Sequence, residues 1–261
     1  MNSPSPDTWD PEVYGRFSKE RSLPFLDLLA LVERVPGMRV LDLGCGTGEL
    51  TRLLHETLAA SETLGLDSSA RMLEKAAGFA GDGLSFGFGD IATFTTGRPF
   101  DLVFSNAALH WVPGHPALLA RLSGLLAPRG QLAVQVPDMD GQVSHATARE
   151  VASEEPFASA LDGGPRVSPV LSPEAYAETL FRLGFAEQSV RLQVYGQVLG
   201  GPEDVVEWVK GTLLTDYRRR LAPGLWDLFL ARYRERLLAR LDNSRPFFYP
   251  YRRILFRARR G

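Results

Sequence analysis

The chain has 261 residues, 44% hydrophobic and 23% charged, a balance that excludes global disorder. Its formal net charge of −2 gives no overall pull toward nucleic acid or an anionic membrane. A single cysteine, Cys45, excludes an internal disulfide and a multi-cysteine metal site.

The first residues are rich in Pro and Ser and lack the basic-then-apolar pattern of a secretory signal. No apolar run approaches the roughly 20 residues that span a bilayer, so a cytoplasmic location is expected. Residues 10–35 read as a helix. Asp10-Pro11 supplies a cap and a first-turn proline, and Leu23, Phe25, Leu26, Leu28, Leu29 and Val32 recur at helical spacing until Pro36-Gly37. Short apolar runs then alternate with helical segments. Strands are predicted at 39–43, 63–67, 84–88, 100–105 and 131–136, and helices at 49–58, 70–77 and 116–126. That rhythm predicts right-handed βαβ units and a parallel sheet, an α/β fold. Beyond Pro137 the rhythm changes. A helix and the loop Asp162-Gly163-Gly164-Pro165 fall in 138–170, a helix opens at Pro173 and stops at Gly184, 187–198 reads as a strand, 202–241 as helical and 247–257 as a closing strand. Basic runs near Arg218 and from Arg252 to Arg260 read as a solvated face or as anion-binding arginines.

The densest signal is Asp42-Leu43-Gly44-Cys45-Gly46-Thr47-Gly48, at the end of a strand and the start of a helix. Glycines there allow a sharp bend and close approach of a ligand to the backbone, and free N–H groups at the helix start can donate to a carboxylate. A dinucleotide fingerprint would need its third glycine at position 49, which is Glu49, and a carboxylate there repels a pyrophosphate. With Asp42 two residues upstream, the loop suits a cationic, zwitterionic ligand. Asp67 ends the second strand, where an acid can accept from both ribose hydroxyls; Asp67, Ser68 or Ser69 could equally cap the next helix. Met72 packs either on a base or in the core. After the third strand, Asp90 can accept from a base amino group while Ile91 covers the ring, although Asp is also common in loops.

Together, Asp42–Gly48, Asp67, Asp90-Ile91 and Asn106-Ala107-Ala108-Leu109-His110-Trp111 resemble the class I S-adenosylmethionine-dependent methyltransferases. The resemblance implies a Rossmann-like fold with a seven-stranded, mostly parallel sheet of order 3-2-1-4-5-7-6, the seventh strand antiparallel and starting near Phe247. It implies S-adenosylmethionine as cofactor and S-adenosylhomocysteine as product. Asp42, Gly44, Cys45, Gly46 and Gly48 would surround the methionine part, Asp67 with Ser68 the ribose, Asp90, Ile91 and Met72 the adenine, and Asn106 the loop beside the sulfonium. The organisation expected is an N-terminal helical lid over 1–36, a cofactor-binding core over 37–137, and over 138–261 the rest of the sheet with helical substrate-cap insertions.

Further segments are similar to those of the trans-aconitate 2-methyltransferases within that class: Trp9-Asp10-Pro11, Tyr14, Phe17-Ser18, Glu20-Arg21, Ala133–Asp138, Arg149–Ala152, Trp208-Val209 and Arg253–Arg260. Residues 153–170 and 211–246 are less alike, and His110 stands where those enzymes carry Gln. This resemblance implies methyl transfer to a carboxylate of a small polycarboxylic acid, trans-aconitate, giving a monomethyl ester; another small-molecule acceptor is the alternative. A carboxylate is already ionised at neutral pH, so the expected mechanism is positioning, with no catalytic acid or base, no nucleophile and no metal. Arg21 and Arg253 are candidate carboxylate forks, His110 a donor, Trp111 a pocket wall, and Tyr14 and Phe17 parts of a lid; each also has an ordinary packing or ion-pair reading. No nucleic-acid partner is expected, because Asn106-Ala107-Ala108-Leu109 lacks the Pro-Pro-aromatic run on which a flipped base stacks. No membrane partner is expected either.

Overall fold

The computed structural model describes residues 18–261 except Gly163 and Arg166, and omits the side chains of residues 18–21. The helix α1 spans Ser18–Leu29, followed by β1 (Arg39–Leu43), α2 (Glu49–Leu58), β2 (Glu62–Asp67), α3 (Ala70–Ala76), β3 (Leu84–Phe88), β4 (Phe100–Asn106), α4 (His115–Ser123) and β5 (Leu126–Pro137). Then come α5 (Val143–Ala152), α6 (Phe157–Ala160), α7 (Pro173–Arg182), β6 (Phe185–Leu199), α8 (Glu203–Lys210), α9 (Thr215–Arg220), α10 (Pro223–Leu238) and β7 (Phe247–Arg260). Among the described residues the strands form one sheet of order β3-β2-β1-β4-β5-β7-β6. Strands β1 to β5 are mutually parallel and β7 runs antiparallel to β5, as the family resemblance implies.

Two compact units divide the chain, with boundaries inside β6 and β7. The first holds Met1–Pro137, Pro169–Gln193 and Arg253–Gly261, and the second Asp138–Ser168 and Val194–Arg252. In the first, alternation along the strands sends side chains to two apolar layers. Leu41, Leu43, Val103, Leu132, Val134 and Val136 meet Leu118, Leu119 and Leu122 of α4 and Tyr176 and Leu180 of α7. On the other face Val40, Leu102, Phe104, Ala133 and Leu255 meet Phe25 and Leu28 of α1 and Leu54 and Leu58 of α2. The Phe25 ring stands edge-on to Phe104 with centroids 5.2 Å apart. Burying each such side chain stabilises the fold by about 1.5–3 kcal/mol.

Two boundaries differ from the sequence reading by five residues or more, each for a long-range reason. Helix α1 stops at Leu29 and not near Val35. The Gln131 side chain takes both backbone groups of Glu33, accepting from its N at 2.9 Å and donating to its O at 2.7 Å, which removes them from a helical ladder. Strand β5 starts at Leu126 rather than 131, because Arg129 adopts φ 62° and absorbs a register shift opposite Phe100/Leu102.

The second unit has an aromatic core. The Tyr217, Trp226 and Tyr233 rings all stack on Phe229, and Tyr195 stacks on Tyr251. Most of its basic residues are paired, among them Arg232 and Arg236 with Glu154, Arg240 with Glu150, Arg245 with Glu203, and Arg219 and Arg220 with Asp216. In the first unit Arg257 and Arg259 both pair with Glu33 and Glu187. These late arginines are therefore largely neutralised locally and offer no continuous basic stripe. No helix among the described residues is long and apolar enough to cross a membrane.

Candidate active site at the carboxyl edge of the sheet

The glycine bend is held by β2. Leu66 O accepts from the N–H groups of both Gly44 (2.8 Å) and Cys45 (3.1 Å). Gly44, Gly46 and Gly48 all have positive φ, 78°, 56° and 82°, where a side chain is strained. Their surroundings differ. A Cβ on Gly44 would lie 2.2 Å from the Ala108 Cβ, and one on Gly48 2.8 Å from the Ala76 Cβ, so these two serve close packing. A Cβ on Gly46 would meet no protein atom within 4 Å. At Gly46 the backbone is thus open on the side from which a ligand would approach.

Acidic groups flank the bend. Asp42 is buried and accepts from Thr51 Oγ1 at 2.6 Å. Burial pushes its carboxyl up to about 7; the Thr51 bond opposes this and the neighbouring Asp67 charge adds to it. Asp67 Oδ2 accepts from Gly46 N and Oδ1 from Ser69 N, both at 2.9 Å. The cap of α3 is Ser69, whose hydroxyl accepts from Met72 N at 3.2 Å. Asp67 is therefore spent on tying the two loops together rather than on capping, and a carboxylate offers about four acceptor sites for that and for a diol. Ser68 is exposed and Met72 is buried. Burial, reinforced by Asp42 and Asp67, pushes the Cys45 thiol well above its ordinary range, which suits a packing role and not a nucleophile.

Asp90 is exposed and accepts from Ala92 N at 2.8 Å, an Asx turn that shapes the loop after β3. Arg121 of α4 holds this loop by donating to Ile91 O at 2.9 Å, and Ile91 packs against the main apolar cluster beside Gly44. After β4, Ala107 turns the chain at φ 53°, an uncommon conformation for a residue with a Cβ. His115 fixes the segment that follows: Nε2 lies 3.0 Å from Leu109 O and Nδ1 2.5 Å from the Tyr176 hydroxyl. A carbonyl can only accept, so Nε2 carries the proton and Nδ1 accepts from Tyr176. Burial holds the His115 pKa below its usual value, in keeping with a neutral ring. His110 and Trp111 are half-buried, with ring centroids 4.8 Å apart.

Asn106 ends β4 with its Oδ1 buried and without a hydrogen-bond partner among the described residues. Arg253 stands opposite Pro137 on β7. The fold thus gathers Asp42, the glycines, Asp67, Ile91 and Asn106 at one edge. Tyr14 and Phe17 lie outside the described residues, as does the side chain of Arg21. Sequence reasoning missed Thr51, His115 and Arg121, whose partners are distant in the chain and leave no local pattern. An open main-chain bend, an acid pair and an orphaned amide oxygen fit a cationic nucleoside carrying a methionine moiety.

A family model described as a methyltransferase domain matches residues 34–168. A curated trans-aconitate 2-methyltransferase of Deinococcus radiodurans is 44% identical over 259 residues, covering 97% of this chain and 98% of its own. One from Streptomyces avermitilis is 40% identical over 256 residues, covering 95% of each chain. Among solved structures, a putative methyltransferase from Bacillus halodurans matches with a TM-score of 0.60 at 15% identity, covering 90% of this chain and 98% of its own. An S-adenosylmethionine-dependent methyltransferase from Mesorhizobium loti matches at 0.52 and 23%, covering 92% and 98%. At those identities the two structures speak for the fold.

Proposed function

Because the chain belongs to the trans-aconitate 2-methyltransferase family and is an S-adenosylmethionine-dependent methyltransferase, we propose that it methylates one carboxylate of trans-aconitate, giving a monomethyl ester and S-adenosylhomocysteine. The observation that carries the acceptor is the 44% identity sustained over 97% of the chain, well beyond the cofactor motifs. Bound S-adenosylmethionine supplies an electrophilic methyl group on a sulfonium. In this reading the Gly46 main chain and Asp42 face the methionine moiety, Asp67 takes the ribose diol, and Ile91 covers the adenine beside Asp90. Asn106 Oδ1 faces the reacting region. His110 and Trp111 border the acceptor, with Arg253 balancing a carboxylate that does not react.

No proton has to move, because the attacking carboxylate is ionised at neutral pH. The protein's contribution is alignment and exclusion of water, which together supply several kcal/mol of barrier lowering. Transfer of labelled methyl from S-adenosylmethionine to a panel of di- and tricarboxylic acids tests the reading. Base-labile label on trans-aconitate is expected. Efficient labelling of another acceptor with none on trans-aconitate would refute the assignment.

A further inference from the structure

Gln135 of β5 is 1% exposed, yet neither its side-chain oxygen nor its nitrogen has a hydrogen-bond partner among the described residues. Buried amides are nearly always paired, because an unpaired buried polar group bears its full desolvation cost. A Met or Leu would fill the same space without that cost, so the carboxamide calls for a reason outside the resting fold.

Its position supplies one. Gln135 pairs in register with Asn106, which carries the other orphaned buried amide oxygen at this edge. Ala133, Phe104 and Leu255 belong to one apolar layer. Two-residue alternation therefore puts Gln135 and Asn106 on that same face, and Arg253 as well, two residues before Leu255. Asp42 pairs with Phe104, so the glycine bend follows at the level of Asn106. Across the edge the order is glycine bend, Asn106, Gln135, at about 4.8 Å per strand. Gln135 thus lies beyond Asn106, on the side away from the glycine bend, which the proposed function leaves to the acceptor.

We propose that Gln135 is a positioning residue for the methyl acceptor: its Nε2 donates to a carboxylate oxygen of a small polycarboxylate and orients the reacting carboxylate beside Asn106. The assignment rests on the carboxylic-acid reading of the acceptor given above.

Two variants test it, Gln135→Met and Gln135→Glu, each measured for Tm, S-adenosylhomocysteine affinity by calorimetry, and kcat and KM with trans-aconitate. Gln135→Met removes an orphaned amide and is expected to keep or raise Tm, to leave S-adenosylhomocysteine affinity within twofold, and to raise KM at least tenfold. Gln135→Glu puts a carboxylate against the acceptor's own and is expected to raise KM further. A structural glutamine would behave in the opposite way: a lowered Tm for Gln135→Met with KM unchanged overturns the proposal, as does an unchanged KM in Gln135→Glu should the Met variant fail to fold. If wild type methylates a different carboxylic acid and not trans-aconitate, the acceptor identity fails while the same KM test on that acid decides Gln135. Wild type that methylates no carboxylic acid overturns both.

Discussion

Substituting Gly46 by Ala separates a glycine kept for a ligand from one kept for its backbone angle. Gly37 is the internal control, because it too has positive φ, 74° against 56°, and a Cβ on either residue meets no protein atom within 4 Å. Each substitution forces an L-residue into left-handed backbone at about 1–2 kcal/mol. At roughly 2–4 °C per kcal/mol for a chain near this size, both Gly37→Ala and Gly46→Ala should lower Tm by about 2–8 °C. In the proposed function, only Gly46→Ala places a methyl group where the cofactor's methionine moiety approaches main chain. Overpacking of that kind costs about 1–3 kcal/mol, which is roughly 5- to 150-fold in affinity at 1.4 kcal/mol per decade. Titration calorimetry with S-adenosylhomocysteine reads the difference, and differential scanning fluorimetry confirms that both variants fold. Equal S-adenosylhomocysteine affinities for the two variants would refute the location of the cradle. Gly44→Ala, whose Cβ would lie 2.2 Å from Ala108, should instead cost more in stability than either.

Asp67→Asn keeps the shape of the side chain and removes its charge, so S-adenosylhomocysteine should bind at least tenfold more weakly by calorimetry, charge-assisted hydrogen bonds being worth about 1.5–3 kcal/mol. Burial lowers the His115 pKa from its ordinary 6.5, so the unfolded chain takes up a proton that the fold resists; the stability His115 lends is complete above about 6.5 and declines as pH falls below it. Urea unfolding of wild type and His115→Asn from pH 8 to 5 should show the gap between them narrowing with acid. Asp42 works in the other direction: its folded pKa, about 7, lies above the ordinary 3.8, so its contribution is present below 3.8 and is lost as pH rises through 7. Asp42→Asn should flatten that component of the pH–stability curve. Finally, transfer to an ionised carboxylate moves no proton, so kcat in heavy water should match that in light water within the error of the assay; a twofold or larger slowing would indicate a general base.

The parallel core could be read from the sequence because strands and helices alternate along the chain, whereas the strand order followed from the family resemblance. Val40 to Leu43 form a short buried run typical of a strand covered on both faces, and the glycines and acids sit at fixed offsets from strand ends. What escaped was set by partners far along the chain. The end of α1 depends on Gln131, 98 residues from Glu33. The loop bearing Ile91 depends on Arg121, and the turn bearing His110 and Trp111 on a histidine hydrogen-bonded to Tyr176. Gln135 escaped for a different reason. In sequence it is one polar residue in the apolar run Ala133–Val136, and only the absence of a partner among the described residues makes it conspicuous. Within 202–241 the helical pattern was visible, but its division into α8, α9 and α10 was not, since the breaks at Gly211 and Leu221 fall where capping is by backbone alone.

The carboxyl edge of the sheet carries a gradient of charge that suits the proposed positioning mechanism. At the ends of β2, β1 and β3 stand Asp67, Asp42 and Asp90; at the ends of β4 and β5 stand the neutral amides Asn106 and Gln135; and at the neighbouring position of β7 stands Arg253. Of these residues the acids lie on one side and the guanidinium on the other, with amides between them, while Asp138, next after β5, is paired with Arg252. In the proposed function a cationic methyl donor occupies the acidic side and an anionic acceptor the basic side, so each is balanced before it reacts. Transfer then converts a cation and an anion into two species each closer to neutral. A reaction of that kind is slowed in water, which solvates the separated charges, and is favoured where water is excluded and the interaction of unlike charges is less screened. Neutral amides at the junction suit this reaction better than a charged residue would. A fixed positive group beside Asn106 would compete with the sulfonium for the acceptor, and a fixed negative group would repel the acceptor, whereas an amide hydrogen bond orients the carboxylate and leaves its charge available to the methyl group.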